Sequence, residues 1–434
     1  MKIVVIGAGY VGLVSGVCFA DFGHNVICVD VNREKIKDLS NGIIPIYEPG
    51  LDELLAKNLQ SKRICFSDNL KESIIDAQVV FIAVGTPERR GSGEADLEYV
   101  MKAAEEISKF AQNNILIITK STVPLGTNRK LAEHIKKFNP ELKFDIASNP
   151  EFLREGSAIE DFQKPDRVIV GIDDDRSKNI IQEIYKPLFL RDFPIMFTSL
   201  ESAETIKYAS NAFLATKISF INEIAELCEK AGADVKDVAK GMGLDNRIGN
   251  KFLHAGPGYG GSCFPKDTSA LYQSAKSFDV ELSIIKTVID ANNKVKSRMI
   301  EKIVNASAIS LEESTILVLG VTFKPNTDDM REAPSLVIIP ELIKRGAKIR
   351  VIDPQGEKEG SVLLPKVEWH DDLYHAAVNS DMVLILTEWN EFRAVDLRKL
   401  SDLMANPIMV DLRNIYNKDQ VFMAGFTGYE SVGR

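Results

Sequence analysis

The sequence predicts an α/β protein with two doubly wound domains of similar construction, a long central helix and a small helical domain between them. Three observations predict this. A strand, a glycine turn and a helix follow one another at the very start of the chain. Short apolar runs then alternate with helical stretches over the first 200 residues. Near the C-terminus, a segment repeats the spacing of the first strand pair. The expected domains are residues 1–200, 201–304 and 312–434, the last preceded by a polar linker at 305–314.

Composition narrows the classes of function. At 434 residues, 45% hydrophobic and 26% charged, the chain has room for several domains and an ordinary globular core. Its five cysteines are scattered, with no Cys-x-x-Cys pair, which argues for a reducing compartment and against a disulfide frame or a metal site. The cytoplasm is the expected location. The first strand begins directly after Met1, leaving no room for a leader, and no apolar stretch approaches the roughly 20 residues of a membrane span. A net charge of −9 opposes binding to nucleic acid or to an acidic membrane surface. An anionic small ligand would therefore need locally concentrated cations.

The first element is a strand at 3–6, which runs into Gly7-Ala8-Gly9-Tyr10-Val11-Gly12 and then an apolar helix ending near Phe22. Gly7 permits the tight turn, Gly9 lets a pyrophosphate approach the backbone, and Gly12 lets helix and strand pack closely. The phosphates of a dinucleotide would sit at the helix N-terminus, where unpaired N–H groups and the helix dipole favour negative charge. The second strand, 26–29, ends in Asp30, whose carboxylate suits the adenosine ribose hydroxyls and repels a 2′-phosphate. NAD is thus preferred, while Arg33 and the cofactor-side Lys35 leave a minority NADP reading open. Further strands at 79–84, 115–119, 144–148 and 167–171 extend the domain. Three of the turns that follow strands, Gly85-Thr86-Pro87, Ser121-Thr122 and Asn149-Pro150-Glu151, are expected to line one crevice, because ligands bind beyond the carboxyl ends of parallel strands.

From 201 to 230 the apolar residues recur at the helical period, giving the long central helix. Lys207 and Asn211 lie four apart and so share one face, but Lys207 taken alone reads as a solvated residue. Next comes Gly260-Gly261-Ser262-Cys263-Phe264-Pro265-Lys266-Asp267, a thiol behind glycines and ahead of a cation that would favour the thiolate. The bland alternative is a glycine turn with an inert thiol. Finally, Gly346 precedes Asp353 by the same seven positions that separate Gly23 from Asp30, and each copy follows a strand ending in glycine, Gly320 and Gly7. The fold expected overall is two Rossmann-like doubly wound domains joined by a long central helix and a small helical domain. The second copy lacks the glycine turn and carries Phe323, Lys324 and Arg331 in a longer first connection, so it is expected to face an anion other than NAD. Loop charges of no function are the alternative reading of Lys324 and Arg331.

These motifs, with the segment from Asn149 to Gly156, resemble the UDP-glucose 6-dehydrogenase family over essentially the whole chain. The resemblance implies a four-electron oxidation at carbon 6 of a UDP-sugar, with two NAD reduced per product. It implies that Lys207 and Asp267 act in proton removal, that Cys263 captures the aldehyde, and that Lys207 and Asn211 steady the oxyanion. Glu151, Thr122 and Asp267 would organise the hydrolytic water. By the same resemblance Gly7, Gly9, Tyr10, Val11, Gly12, Asp30, Lys35, Thr86, Thr122, Glu155, Lys266 and Arg331 serve the cofactor. Glu151, Phe152, Leu153, Arg154, Lys207, Asn211, Tyr259, Gly260, Phe323, Lys324 and Arg413 would contact the nucleotide sugar, with Arg247 reaching across from a partner subunit, which implies a homodimer or a larger homo-oligomer. GDP-mannose or UDP-N-acetylhexosamine are the alternative substrates. A single-hydride hydroxyacid-type dehydrogenase, which needs no thiol, and a non-catalytic NAD sensor are the competing functions.

Overall fold

The computed structural model describes residues 1–89, 93–112, 114–189 and 194–434. They form two compact units, Met1–Ser210 with Gln273–Asp279, and Asn211–Tyr272 with Val280–Arg434. The division falls inside the long helix, which runs Leu200–Ala231 against the predicted 201–230.

Unit one is built on β1 (Lys2–Ile6), β2 (Asn25–Val29), β3 (Ile64–Ser67), β4 (Val79–Ile82), β5 (Ile115–Thr119), β6 (Phe144–Ser148), β7 (Val168–Gly171) and β8 (Ile195–Thr198) in the order β3-β2-β1-β4-β5-β6-β7-β8. Among these described strands the pairings are parallel except for an antiparallel bridge from Ser148 to Gly171. The two short strands absent from the sequence reading, β3 and β8, are only four residues each and partly exposed, with apolar runs of three, Ile64-Cys65-Phe66 and Ile195-Met196-Phe197. Strand β1 shows why the sheet is doubly wound. Ile3 and Val5 belong to one apolar cluster with Leu13, Val14 and Val17 of the helix Tyr10–Asp21, whereas Val4 belongs to another with Val100, Ile107 and Leu131. Successive side chains leave opposite faces of a strand, so a continuous apolar run needs helices on both sides. Each of these fully buried side chains contributes about 1.5–3 kcal/mol.

Unit two repeats the plan with β9 (Thr315–Leu319), β10 (Lys348–Ile352), β11 (Glu368–Trp369), β12 (Met382–Ile385), β13 (Ile408–Asp411) and β14 (Gly428–Ser431), all parallel, in the order β11-β10-β9-β12-β13-β14. The echo read from the sequence is structural. Gly7 N donates to Val29 O at 2.7 Å, and Gly320 N donates to Ile352 O at 2.8 Å. Both glycines have left-handed backbone, φ +99° and +82°, which a side chain would strain. One face of this sheet is covered by the helix Ser283–Ala306, through Val295, Met299 and Ile303, together with Ile221 and Ala225 of the long helix.

Candidate active site

The glycine turn of unit one presents a helix start without a side-chain cap. Asn32, Asn69, Asp174, Asp234, Asp372, Asp396 and Asn417 each cap a helix by accepting a backbone N–H, but Gly9 caps Tyr10–Asp21 with nothing. The first N–H groups of a helix have no intrahelical acceptor. A Cβ built on Gly9 meets nothing within 4 Å, so the turn leaves space where a phosphate would approach. A Cβ on Gly12 would lie 3.0 Å from Gly7 C, 3.2 Å from Ala83 Cβ, and against Gly7 O, which is the close helix–strand packing the motif requires.

At the end of β2, the Asp30 carboxylate accepts from Ala8 N and Asn32 N at 2.9 Å each and pairs with Lys35 Nζ at 3.0 Å. Burial opposes its charge, but the two amides and Lys35 outweigh it and hold the carboxyl below the usual aspartate range. These residues fit NAD. A second set of contacts ties this turn to the segment after β6. Tyr10 Oη donates to Glu48, and the same carboxylate accepts from Gly156 N at 2.6 Å and Ala158 N at 2.7 Å.

That segment carries Glu151, which is 5% exposed. Its Oε2 accepts from Leu153 N at 2.6 Å, and its Oε1 pairs with Lys207 Nζ at 2.9 Å. Burial alone would raise the Glu151 carboxyl, yet Lys207, the Leu153 amide and Lys120 together hold it below its ordinary value. Lys207 is 3% exposed, not solvated as the sequence pattern suggested. Its partner carboxylate comes from a distant stretch of chain, and breaking such a pair by removing one member costs about 3–5 kcal/mol. The Phe152 ring packs 3.8 Å from Arg167 Cζ and 5.3 Å from Lys207 Nζ, measured to its centroid. Thr86 Oγ1 donates to Thr122 O at 2.9 Å, joining two of the predicted turns. Arg154 is exposed and engages Asp161.

Unit two holds the thiol. Cys263 immediately precedes the helix Phe264–Lys276 and is half-buried, with Ser262 Oγ 3.5 Å from its Sγ. A helix N-terminus favours a thiolate there. One turn on, the buried Asp267 carboxylate is held between Asn211 Nδ2 at 2.6 Å and Lys266 Nζ at 2.7 Å. The glycine loop is clamped. Gly261 N donates to Arg331 O at 2.8 Å, and a Cβ on Gly261 (φ +83°) would sit 2.7–2.9 Å from the Phe323 ring. Gly260 packs against Glu332 O, again with no room for a side chain, and Tyr259 exchanges two hydrogen bonds with Asn292.

Arg413 Nε donates to Leu386 O at 2.6 Å and lies 3.1 Å from Glu388, while its Nη2 donates to Phe323 O at 3.1 Å. It also borders a cavity of ≈ 410 Å³ with Lys236, Lys240, His254 and Arg393. Lys236, Lys240, Arg393 and Arg413 concentrate positive charge on its lining. Lys324 Nζ stands 5.4 Å from the Phe323 ring centroid, and Arg331 pairs with Asp329. Arg247 is exposed and pairs with Asp245 in its own turn.

Two residues escaped the sequence reading. Glu48 has no motif around it. Lys120 follows β5 and looks like any strand-end lysine, yet it is buried beside Asn149.

Comparison with known proteins agrees along the chain. Residues 1–189 match the NAD binding domain of the UDP-glucose/GDP-mannose dehydrogenase family, residues 201–294 its central domain, and residues 317–418 its UDP binding domain. The chain is 53% identical to the UDP-glucose 6-dehydrogenase of Rhizobium meliloti (strain 1021), covering 100% of both proteins. It is 47% identical to UDP-glucose 6-dehydrogenase TuaD of Bacillus subtilis (strain 168), covering 100% of this chain and 93% of that one. Among solved structures, a UDP-glucose dehydrogenase from the hyperthermophilic archaeon Pyrobaculum islandicum superposes with a TM-score of 0.90 at 38% identity, covering 100% and 97%.

Proposed function

Because the chain belongs to the UDP-glucose/GDP-mannose dehydrogenase family, with an NAD binding domain in unit one and a UDP binding domain in unit two, we propose that it oxidises UDP-glucose to UDP-glucuronate. Two hydrides leave carbon 6, and one oxygen enters from water. NAD, when bound, accepts the hydride in each half-reaction; Gly9, Gly12 and Asp30 would hold it.

This chain's own residues supply the rest. In the first oxidation Asp267 takes the hydroxyl proton through a water, and the Lys207 ammonium and the Asn211 amide steady the oxygen as it gains negative charge. The Cys263 thiolate then adds to the aldehyde carbon, forming a C–S bond, and the oxygen takes a proton to give a thiohemiacetal. Loss of the second hydride and the hydroxyl proton leaves a thioester. Glu151, with Thr122 and Asp267, activates the water that displaces the sulfur and frees the acid. Covalent capture keeps the reactive aldehyde from escaping.

The observation that carries this reading is the placement of Cys263 at a helix start, in a glycine loop clamped by Arg331 O and Phe323, one turn ahead of the Asp267 carboxylate. The UDP part is assigned to unit two, with Lys324 and Arg413 as its cations. The exposed Arg247 is assigned to a partner copy's substrate, which makes the working form a dimer or larger, to be read by light scattering. The cytoplasm is assigned as the compartment, in keeping with five cysteines that are all thiols.

The test is stoichiometry. Two NADH per UDP-glucuronate are expected, with GDP-mannose and UDP-N-acetylmannosamine turned over poorly, and Cys263→Ser is expected to abolish net acid formation. One NADH per sugar, or acid formation by the serine variant at the wild-type rate, would falsify the covalent route.

A further inference from the structure

A second lysine is buried with the Glu151–Lys207 pair in unit one. Lys120 stands directly after β5 and is 5% exposed. Its Nζ donates to Asn149 Oδ1 at 3.2 Å and to Tyr185 Oη at 3.5 Å. Tyr185 Oη in turn donates to Asn149 Oδ1 at 2.6 Å, and Asn149 Nδ2 donates to Ile169 O at 2.8 Å, so both acceptors are fixed in place. The Phe162 ring centroid lies 5.8 Å away. These neighbours are all uncharged, and among the described residues no carboxylate forms an ion pair with Lys120.

Burying an ammonium without a paired anion is costly, and a methionine would fill the same place without that cost. A purely structural need does not explain the charge. The charged groups that act on Lys120 are Glu151, from the segment after β6, and Lys207, from the long helix. Lys120 acts on Glu151 in return. Tyr185, at the end of the helix Asp175–Ile184, is pushed far above its ordinary range by burial and stays neutral. Lys120 and Lys207 therefore both bear on one buried carboxylate.

We propose that Lys120 is a positioning residue for this reaction, whose buried ammonium biases the Glu151–Lys207 pair towards an ionised carboxylate and an amine that gives up its proton more readily. This rests on the reading that Glu151 and Lys207 work on the sugar. Burial, with Lys207 adding repulsion and Glu151 opposing, brings Lys120 down to about 8, so its charge is present at neutral pH and is lost just above it.

The direction of the effect follows from sign. Without Lys120, Glu151 loses an attracting cation and its carboxyl rises. Lys207 loses a repelling cation and its ammonium also rises. Both limbs of the pH profile of kcat are expected to move to higher pH in Lys120→Met, by about one unit. KM for UDP-glucose should stay within about twofold, and Lys120→Arg should restore the wild-type limbs. Limbs that stay fixed while only kcat or Tm falls would overturn the proposal.

A second measurement stands apart from turnover and needs only the wild type. The titration of the Lys207 amine, followed by NMR of isotope-labelled lysine across pH, should show two coupled steps. A single step at the ordinary lysine value would overturn the proposal even if Lys120→Met does not fold. If UDP-glucose proves not to be the substrate, the Lys207 titration still decides the coupling, so the two readings fail separately.

Discussion

Two alanine substitutions in one glycine turn should separate folding from cofactor binding. At Gly12 a Cβ would lie 3.0 Å from Gly7 C and nearer still to Gly7 O, inside ordinary van der Waals distance of backbone that cannot swing aside. The helix Tyr10–Asp21 must then lift from β1, disturbing Leu13, Val14 and Val17, which are fully buried. Overpacking of this kind costs about 1–3 kcal/mol. In a unit of this size each kcal/mol lowers Tm by about 2–4 °C. At Gly9 a Cβ meets nothing within 4 Å, and the residue has φ −76°, which alanine accepts. Gly9→Ala should therefore leave Tm nearly unchanged and instead place a methyl where the pyrophosphate approaches. Its Kd for NADH should rise at least tenfold, about 1.4 kcal/mol or more. Differential scanning fluorimetry and NADH fluorescence titration read the two effects independently. A stable Gly12→Ala, or a Gly9→Ala that binds NADH as the wild type does, would refute the reading of the turn.

Asp30→Ala should lower kcat/KM for NAD, raise it for NADP and shrink the preference at least tenfold, about 1.4 kcal/mol; an unchanged ratio would assign cofactor choice elsewhere. The depressed Asp30 carboxyl also fixes a pH dependence. Its ionised form, and the contribution it makes to stability and ribose binding, is fully present above the unfolded value of about 3.9 and is lost only as pH falls through the lower folded value. NADH affinity that already collapses near pH 5 would contradict this. Lys324→Ala should weaken UDP-sugar binding more than NAD binding, by isothermal calorimetry with each ligand, and the reverse order would reassign unit two.

The doubly wound plan was legible because each signal is local: a glycine turn between strand and helix, an acid at the end of the second strand, and the same spacing repeated near Gly346 and Asp353. The thiol loop was legible for the same reason, since Gly260, Gly261, Cys263 and Asp267 are adjacent in sequence. Lys207 was not. Its burial depends on Glu151, 56 positions away, and periodicity along one helix carries no record of that partner. Lys120 was hidden likewise, because Asn149 and Tyr185, which accept its hydrogen bonds, come from separate elements. The short strands β3 and β8 escaped because a run of three apolar residues is too short to show a period, and tertiary pairing makes them strands. The antiparallel bridge between β6 and β7 left no trace in a pattern that only distinguishes strand from helix.

The repeat also records a division of labour. Asp30 keeps Lys35 and two amides for company. Its counterpart Asp353 accepts hydrogen bonds from the Val321, Thr322, Gln355 and Gly356 amides and from the Thr322 hydroxyl, more than the roughly four lone-pair sites a carboxylate offers. The same acid is a mooring post in the first copy and a rivet in the second. Grafting the missing glycine turn onto the later copy would consequently rebuild the berth without giving a ribose anything to tie to.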